Sequence, residues 1–275
     1  MRRLRLVLKG LVLLAFLLVA LPIQLVAVRA GWRVGGWIPV IFHRLVLWLL
    51  DVRVRRIGTP PDAEPSLVLA NHASWLDIVV IGSLRPLAFV AKSEIAGWPV
   101  IGLFANLQRS VYIERARRSH TAEVNETVAR RLAGGEMVVL FPEGTTSDGN
   151  RLLPFRSSLV GAAGAVLTET DLGAVRLQPL AVAFTRRNGL PVTRRERPAI
   201  AWYGTMELAP HLAAFLRGGP LDVEVTWGDP IRFDASLDRK RATALAEAAV
   251  REGVRASMRG DPVPYRRARV TGASG

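Results

Sequence analysis

Ser66-Leu67-Val68-Leu69-Ala70-Asn71-His72-Ala73-Ser74-Trp75-Leu76-Asp77 is the stretch that decides how this chain is read. Ser66–Ala70 is a short, mostly apolar run, of a length that suits a buried strand and not a helix. Asn71-His72-Ala73 breaks the run, and Ser74 belongs to the residue types that start helices. Apolar residues then continue to Leu84, so Ser74–Leu84 reads as a helix. A buried strand that passes through a polar turn straight into a helix is the repeating unit of an α/β layered domain.

The rest of the chain after Asp51 repeats this texture. Leu87–Ala91, Ser110–Ile113, Met137–Phe141, Leu177–Phe184, Ala199–Tyr203 and Leu221–Trp227 read as further strands. Between them lie helical stretches at Trp98–Leu107, Ser119–Ala133, Ser158–Leu167 and Leu237–Met258. The second of these is stopped by Gly134-Gly135. The expected fold class is therefore α/β: a layered, mostly parallel sheet flanked by helices, occupying residues 51–260. Residues 261–275, with Arg266, Arg267 and Arg269 and a Gly/Ser end, read as a flexible basic tail.

Residues 1–50 are of a different kind. Arg2, Arg3, Arg5 and Lys9 precede an apolar run from Gly10 to Val28 in which Gln24 is the one strongly polar residue. Roughly 19 residues rising about 1.5 Å each reach about 28 Å, enough to cross a bilayer core. The run exceeds a signal-peptide core, and Val28-Arg29-Ala30 is a poor cleavage site. A second apolar stretch, Trp37–Leu50, carries His43 and Arg44 and suits an interfacial helix, with Trp32 and Trp37 at headgroup level. The segment reads as a membrane anchor: one spanning or re-entrant helix plus an interfacial helix, with the catalytic domain on the cytoplasmic face of the cell membrane.

Among the 275 residues, 37 Lys and Arg against 23 Asp and Glu give a formal net charge of +14, which favours an anionic partner. The apolar N-terminus turns that choice toward membrane lipid, and no recognition-helix or RNA-binding strand pattern points to nucleic acid. With no cysteine, disulfides, thiolate nucleophiles and Cys-based metal centres are excluded. His43, His120 and His211 are scattered without metal-ligand spacing, so no metal site is expected.

Two polar boxes stand at strand ends, where functional groups concentrate in α/β sheets. In the first, Asp77 follows His72 by five positions and falls in the first turn of the helix. From there its carboxylate can fold back onto one imidazole nitrogen, fix the tautomer and leave the other nitrogen free to accept a proton. The same Asp77, three residues after Ser74, also suits a capping box with no chemistry attached. In the second, Phe141-Pro142-Glu143-Gly144-Thr145-Thr146-Ser147, a strand opens into a loop that can present backbone N–H groups to an anionic oxygen.

Together these boxes resemble those of the glycerolipid acyltransferase family of lysophosphatidic acid acyltransferases, with a His-x4-Asp box and a Phe-Pro-Glu-Gly-Thr box in that order. Tyr112-Ile113-Glu114-Arg115 resembles the family's block ending in a phosphate-binding arginine, and Leu177-Gln178-Pro179-Leu180-Ala181 its proline-bearing block. Lys92 and Arg156 also sit where the family places basic residues. The resemblance covers Ser66 to Phe184. It implies direct acyl transfer from acyl-CoA or an acyl carrier protein, as co-substrate and not as a resident cofactor, to the free sn-2 hydroxyl of 1-acyl-sn-glycerol-3-phosphate.

In that scheme His72 is the general base and Asp77 orients it. Arg115, Lys92 and Arg156 bind the acceptor headgroup, Glu143 and Thr145 help to place it, and N–H groups near Gly144 hold the oxyanion. One departure bears on the acceptor: many members carry Arg where this chain has Thr146, which removes a bidentate phosphate contact. Lyso-ornithine lipid or another lysophospholipid is therefore the alternative acceptor. A basic protein that binds a membrane surface without catalysis is the non-enzymatic one.

Overall fold

In the computed structural model, the residues described are 2–60, 66–113, 118–169 and 173–260. Two helices come first, α1 (Arg2–Ala30) and α2 (Val34–Leu49). There follow β1 (Val52–Ile57), β2 (Ser66–Ala70), α3 (Trp75–Gly82), β3 (Ala88–Lys92), α4 (Ile101–Leu107), β4 (Val111–Ile113), α5 (Arg118–Ala133) and β5 (Met137–Leu140). The second half contains α6 (Gly161–Glu169), β6 (Val175–Arg187), β7 (Leu190–Pro191), α7 (Arg197–Ile200), α8 (Leu208–Arg217), β8 (Leu221–Trp227), β9 (Ile231–Phe233) and α9 (Arg239–Arg259).

The strands form one sheet in the order β1-β8-β6-β2-β5-β3-β4, with β7 and β9 also paired to β6. From β6 to β4 every neighbour is parallel, while β8 runs antiparallel to β6 and carries β1 parallel to itself. The mostly parallel sheet expected from the sequence is thus present, extended by an antiparallel return at one side. Pro179 shows how the long β6 tolerates a residue with no N–H. It falls between the end of the β9 ladder at Leu177 and the start of the β8 ladder at Leu180. Gln178 spans that gap by donating to Gly228 O at 2.6 Å.

Side chains alternate across the sheet with period two. Val68 and Ala70 of β2 enter a core with Leu47 of α2, Leu76, Val80 and Ile81 of α3, and Phe215 of α8. Leu67 and Leu69 enter the opposite core with α5 (Val128, Leu132), α6 (Ala163, Val166) and α9 (Ala246, Val250). Helices therefore cover both faces, and each fully buried Leu contributes about 1.5–3 kcal/mol. This double burial is why Ser66–Ala70 is buried at every position.

The antiparallel pair α1 and α2 packs against this body. Leu4–Ala30 is long and apolar enough to cross a membrane, and Leu4, Leu8, Leu11, Leu14 and Leu18 are exposed. Lys9, one of the basic residues before the apolar run, is not left in solvent. Its ammonium is buried, pairs with Asp51 and donates to Trp48 O at 2.6 Å. Gln24 donates to Gly35 O at 2.8 Å and Leu107 O at 2.7 Å, so Lys9 and Gln24 each fasten α1 to the chain packed against it.

Ala199–Tyr203 is not the strand expected. α7 occupies Arg197–Ile200, and the chain from there to α8 has no regular structure. Tertiary partners take over its backbone groups: Trp202 N–H donates to Ala73 O at 2.8 Å, and Ile200 O accepts from Ser74 Oγ at 3.0 Å. The tail after Gly260 lies outside the described residues.

Candidate active site

β2 and β5 are adjacent and parallel, so their carboxyl ends open on the same edge of the sheet and bring the two boxes together. Where β2 leaves the sheet, Asn71 continues the ladder through its side chain. Its Oδ1 accepts from Val182 N–H at 2.8 Å, and its Nδ2 donates to Val182 O at 2.9 Å. Four residues later the chain enters α3, and Asp77 occupies the third helical position behind the Ser74 N-cap.

Asp77 is fully buried and does both of the jobs the sequence left open. Its Oδ2 accepts from Ser74 N–H at 2.8 Å and Ala73 N–H at 2.7 Å, which caps the helix. The same oxygen lies 2.9 Å from His72 Nδ1. A carboxylate accepts only, so the Nδ1 proton points at Asp77 and the lone pair stays on Nε2, which has no partner among the described residues. The His72 side chain keeps 18 % of its surface. Its opposite constraint is Phe141, whose ring stacks on the imidazole with centroids 4.0 Å apart and planes 16° apart.

Glu143, expected to help place the acceptor, supports the first box. It is 2 % exposed and spends both carboxylate oxygens on backbone: one accepts from His72 N–H at 2.7 Å, the other from Leu153 N–H at 2.8 Å. Burial pushes its carboxyl up to about 7, a rise that the two N–H donors only partly offset. Gly144 N–H is likewise spent, closing a turn onto Phe141 O at 3.1 Å. That glycine is required by its φ of +74°. A β-carbon there would also meet the Arg156 side chain at 3.4 Å, because that guanidinium lies over the loop. Ser147 N–H donates to His72 O at 3.0 Å. The N–H groups of Glu143, Thr145 and Thr146 have no protein acceptor among the described residues. Thr145 is exposed.

Lys92 ends β3 and is exposed at the same carboxyl edge as His72. Arg115 lies outside the described residues, two positions beyond the end of β4. Among the described residues no cluster of acids and histidines suits a metal. Sequence reasoning missed Asn71, Phe141, Trp202 and Leu153 as supports of the site. Asn71 stands next to His72 and Phe141 opens the second box, so both could have been flagged. Trp202 and Leu153 act through backbone, which leaves no mark on residue type.

With a part-exposed imidazole held by a carboxylate and a loop with N–H groups to spare, the arrangement can strip a proton from an alcohol and steady an oxyanion. Comparison with known proteins points the same way. Residues 51–183 match the family model described as Acyltransferase. The chain is 42 % identical over 262 residues to the lyso-ornithine lipid O-acyltransferase of Brucella abortus, covering 95 % of this chain and 97 % of that one. It is 40 % identical over 163 residues to the 1-acyl-sn-glycerol-3-phosphate acyltransferase of Neisseria meningitidis, covering 58 % and 60 %. Its fold is similar to the crystal structure of the 1-acyl-sn-glycerophosphate acyltransferase PlsC from Thermotoga maritima (TM-score 0.61, 21 % identity, 93 % and 97 % of the two chains).

Proposed function

Since this chain belongs to the acyltransferase family and is an enzyme that acylates lysolipids, we propose that its acceptor is a lyso-ornithine lipid. The observation that carries the choice is extent: similarity to the lyso-ornithine lipid enzyme spans both chains almost whole, whereas similarity to the 1-acyl-sn-glycerol-3-phosphate enzyme spans little more than half. Thr146 agrees with it. Where a phosphate-reading guanidinium would stand there is a short hydroxyl, and an ornithine headgroup offers a carboxylate and an amine but no phosphate.

In the reaction, His72 Nε2 takes the proton of the acceptor hydroxyl while Asp77 holds Nδ1–H and stabilises the imidazolium that forms. The alkoxide oxygen bonds to the thioester carbonyl carbon. The tetrahedral oxyanion is held by N–H groups of Thr145 and Thr146, and the C–S bond then breaks. The leaving thiolate takes the proton back from His72, so no acyl-enzyme forms. Lys92 and Arg156 hold the acceptor's carboxylate. The apolar α1 keeps the enzyme at the membrane where its lipids reside, with the catalytic domain on the cytoplasmic face that thioester donors reach.

The test is the purified full chain in mixed micelles, given lyso-ornithine lipid or lysophosphatidic acid with acyl-CoA or acylated carrier protein, and products identified by mass spectrometry. The expected outcome is ornithine lipid, with kcat/KM for the lyso-ornithine acceptor at least about tenfold higher, the value of one lost charge-assisted contact. Preferential formation of phosphatidic acid would overturn the assignment.

A further inference from the structure

Beside the site lies a cavity of about 370 Å³ whose walls carry five guanidinium groups, Arg151, Arg197, Arg251, Arg255 and Arg259, against one carboxylate, Glu143. Three of the five come from α9 at i, i+4 and i+8, which stacks like charges along one helix face at a cost in helix stability. Only Arg251 is neutralised, by Glu247 at 2.6 Å. The other four have no acidic partner among the described residues. The negative end of the α9 dipole accounts for Arg259 in the last turn. It does not account for Arg151, on the loop after the second box, or for Arg197, on α7 across the cavity. Two lining groups are also buried without a partner, Arg197 Nε and Asn150 Oδ1. A fold that gathers unpaired guanidiniums around a void is built for an anion with several oxygens.

The position of the cavity says which anion. Asn71, Ala73 and Ser147 line it, so it reaches the residues on either side of His72, yet the imidazole itself is not in its wall. A group bound there is tethered to the reacting atoms without being one of them. The proposed acceptor brings a single carboxylate, already served by Lys92 and Arg156. A thioester donor, by contrast, carries its acyl group at one end of a pantetheine arm and phosphate at the other.

We propose that this cavity seats the phosphate of the donor's phosphopantetheine, the chemistry that coenzyme A and acyl carrier protein share. The proposal rests on the acyltransferase reading above. Arg255 and Arg259 are exposed and their side chains make no hydrogen bond or ion pair among the described residues, so their loss should leave the fold intact.

The experiment compares KM for acyl-CoA, and for acylated carrier protein, with KM for phosphate-free S-acyl-pantetheine, in the full chain and in an Arg255→Ala/Arg259→Ala variant. The unaltered enzyme should bind the phosphate-bearing donor better. The variant should raise KM for that donor about tenfold, the value of a charge-assisted contact at a partly open site, and bring the ratio of the two KM values toward one. The carrier that shows the shift is the physiological source of the phosphate. An equal rise for both kinds of donor, no rise for either, or a loss that instead follows the anionic lipid content of added vesicles would overturn it. Failure of the acyltransferase reading itself shows separately, as absence of transfer from every donor by the unaltered enzyme, and takes this proposal with it.

Discussion

Replacing Asp77 by Asn tests the electrostatics of the site with least damage to its shape. Three N–H donors converge on one oxygen, from His72, Ala73 and Ser74, and the other oxygen is buried without a partner. An Asn carbonyl can take the place of the first oxygen and its NH2 that of the second, so the tautomer of His72 and the helix cap both survive. What is lost is the negative charge beside an imidazolium that exists only while the hydroxyl proton resides on His72. Two unit charges about 4 Å apart at an effective dielectric near 20 interact by about 4 kcal/mol. Water reaching the part-exposed imidazole reduces this to about 2–3 kcal/mol, which converts to a loss of about 30- to 150-fold in kcat. KM for the acceptor should change little, because the charge pair is absent in the ground state. Asp77→Ala, by contrast, strands two buried N–H groups at about 1–3 kcal/mol each and should lower the melting temperature as well. Steady-state transfer assays alongside thermal melts separate the two variants. An Asp77→Asn enzyme with kcat within about threefold of the original, or one whose lost activity follows a lost fold, would refute the reasoning.

Three further outcomes follow from the same geometry. His72→Ala should cut kcat by about a hundred- to ten-thousandfold with circular dichroism unchanged, and measurable transfer near the original rate would remove its role as base. Asn71→Ala should cost about 2–4 kcal/mol in a denaturant melt, since the N–H and C=O of Val182 both lose their partner. Glu143 should make stability depend on pH. Its folded value of about 7 lies above the ordinary 4.5, so its stabilising contribution is complete below about 4.5 and is lost as pH rises through about 7, on the order of 3 kcal/mol in all. Melts of the original and of Glu143→Gln from about pH 5 to about pH 8 should therefore converge or cross as pH rises, and parallel curves would show that the carboxyl is not perturbed.

How much of this was legible in the sequence depended on where each residue's partners lie. Ser66–Ala70 and the helix after it were readable because burial on both faces demands an unbroken apolar run, and the capping turn is written in neighbouring residues. Val52–Ile57 was not read as a strand, because its alternating Arg and apolar residues belong to an edge strand beside β8, half of it solvated. α8 was hidden by Pro210 in its first turn, where proline is tolerated. Ala199–Tyr203 has the aromatic and apolar content of a strand, yet its backbone bonds to the His72 turn instead of to a ladder, and no local pattern records that. The partner of Lys9 was hidden for a similar reason: Asp51 is supplied by the return of the chain after α2.

The sequence suggests separate tools for the two boxes, a base and a substrate clamp, but in the fold the second acts first of all on the first. Phe141 stacks on the His72 ring, Glu143 accepts the His72 N–H, and Ser147 N–H donates to His72 O. The ring, the amide and the carbonyl of one residue are thus each fixed by a different member of the second box. A change in that box should therefore show in kcat before it shows in acceptor binding. Phe141→Leu makes the cleanest case, since it keeps an apolar core residue while removing a stack worth about 0.5–1.5 kcal/mol. If that energy holds the imidazole in line with the hydroxyl, kcat should fall about three- to tenfold with KM for the lysolipid unchanged. Should KM rise while kcat holds, the second box would be touching the acceptor directly, and its grip on His72 would be incidental.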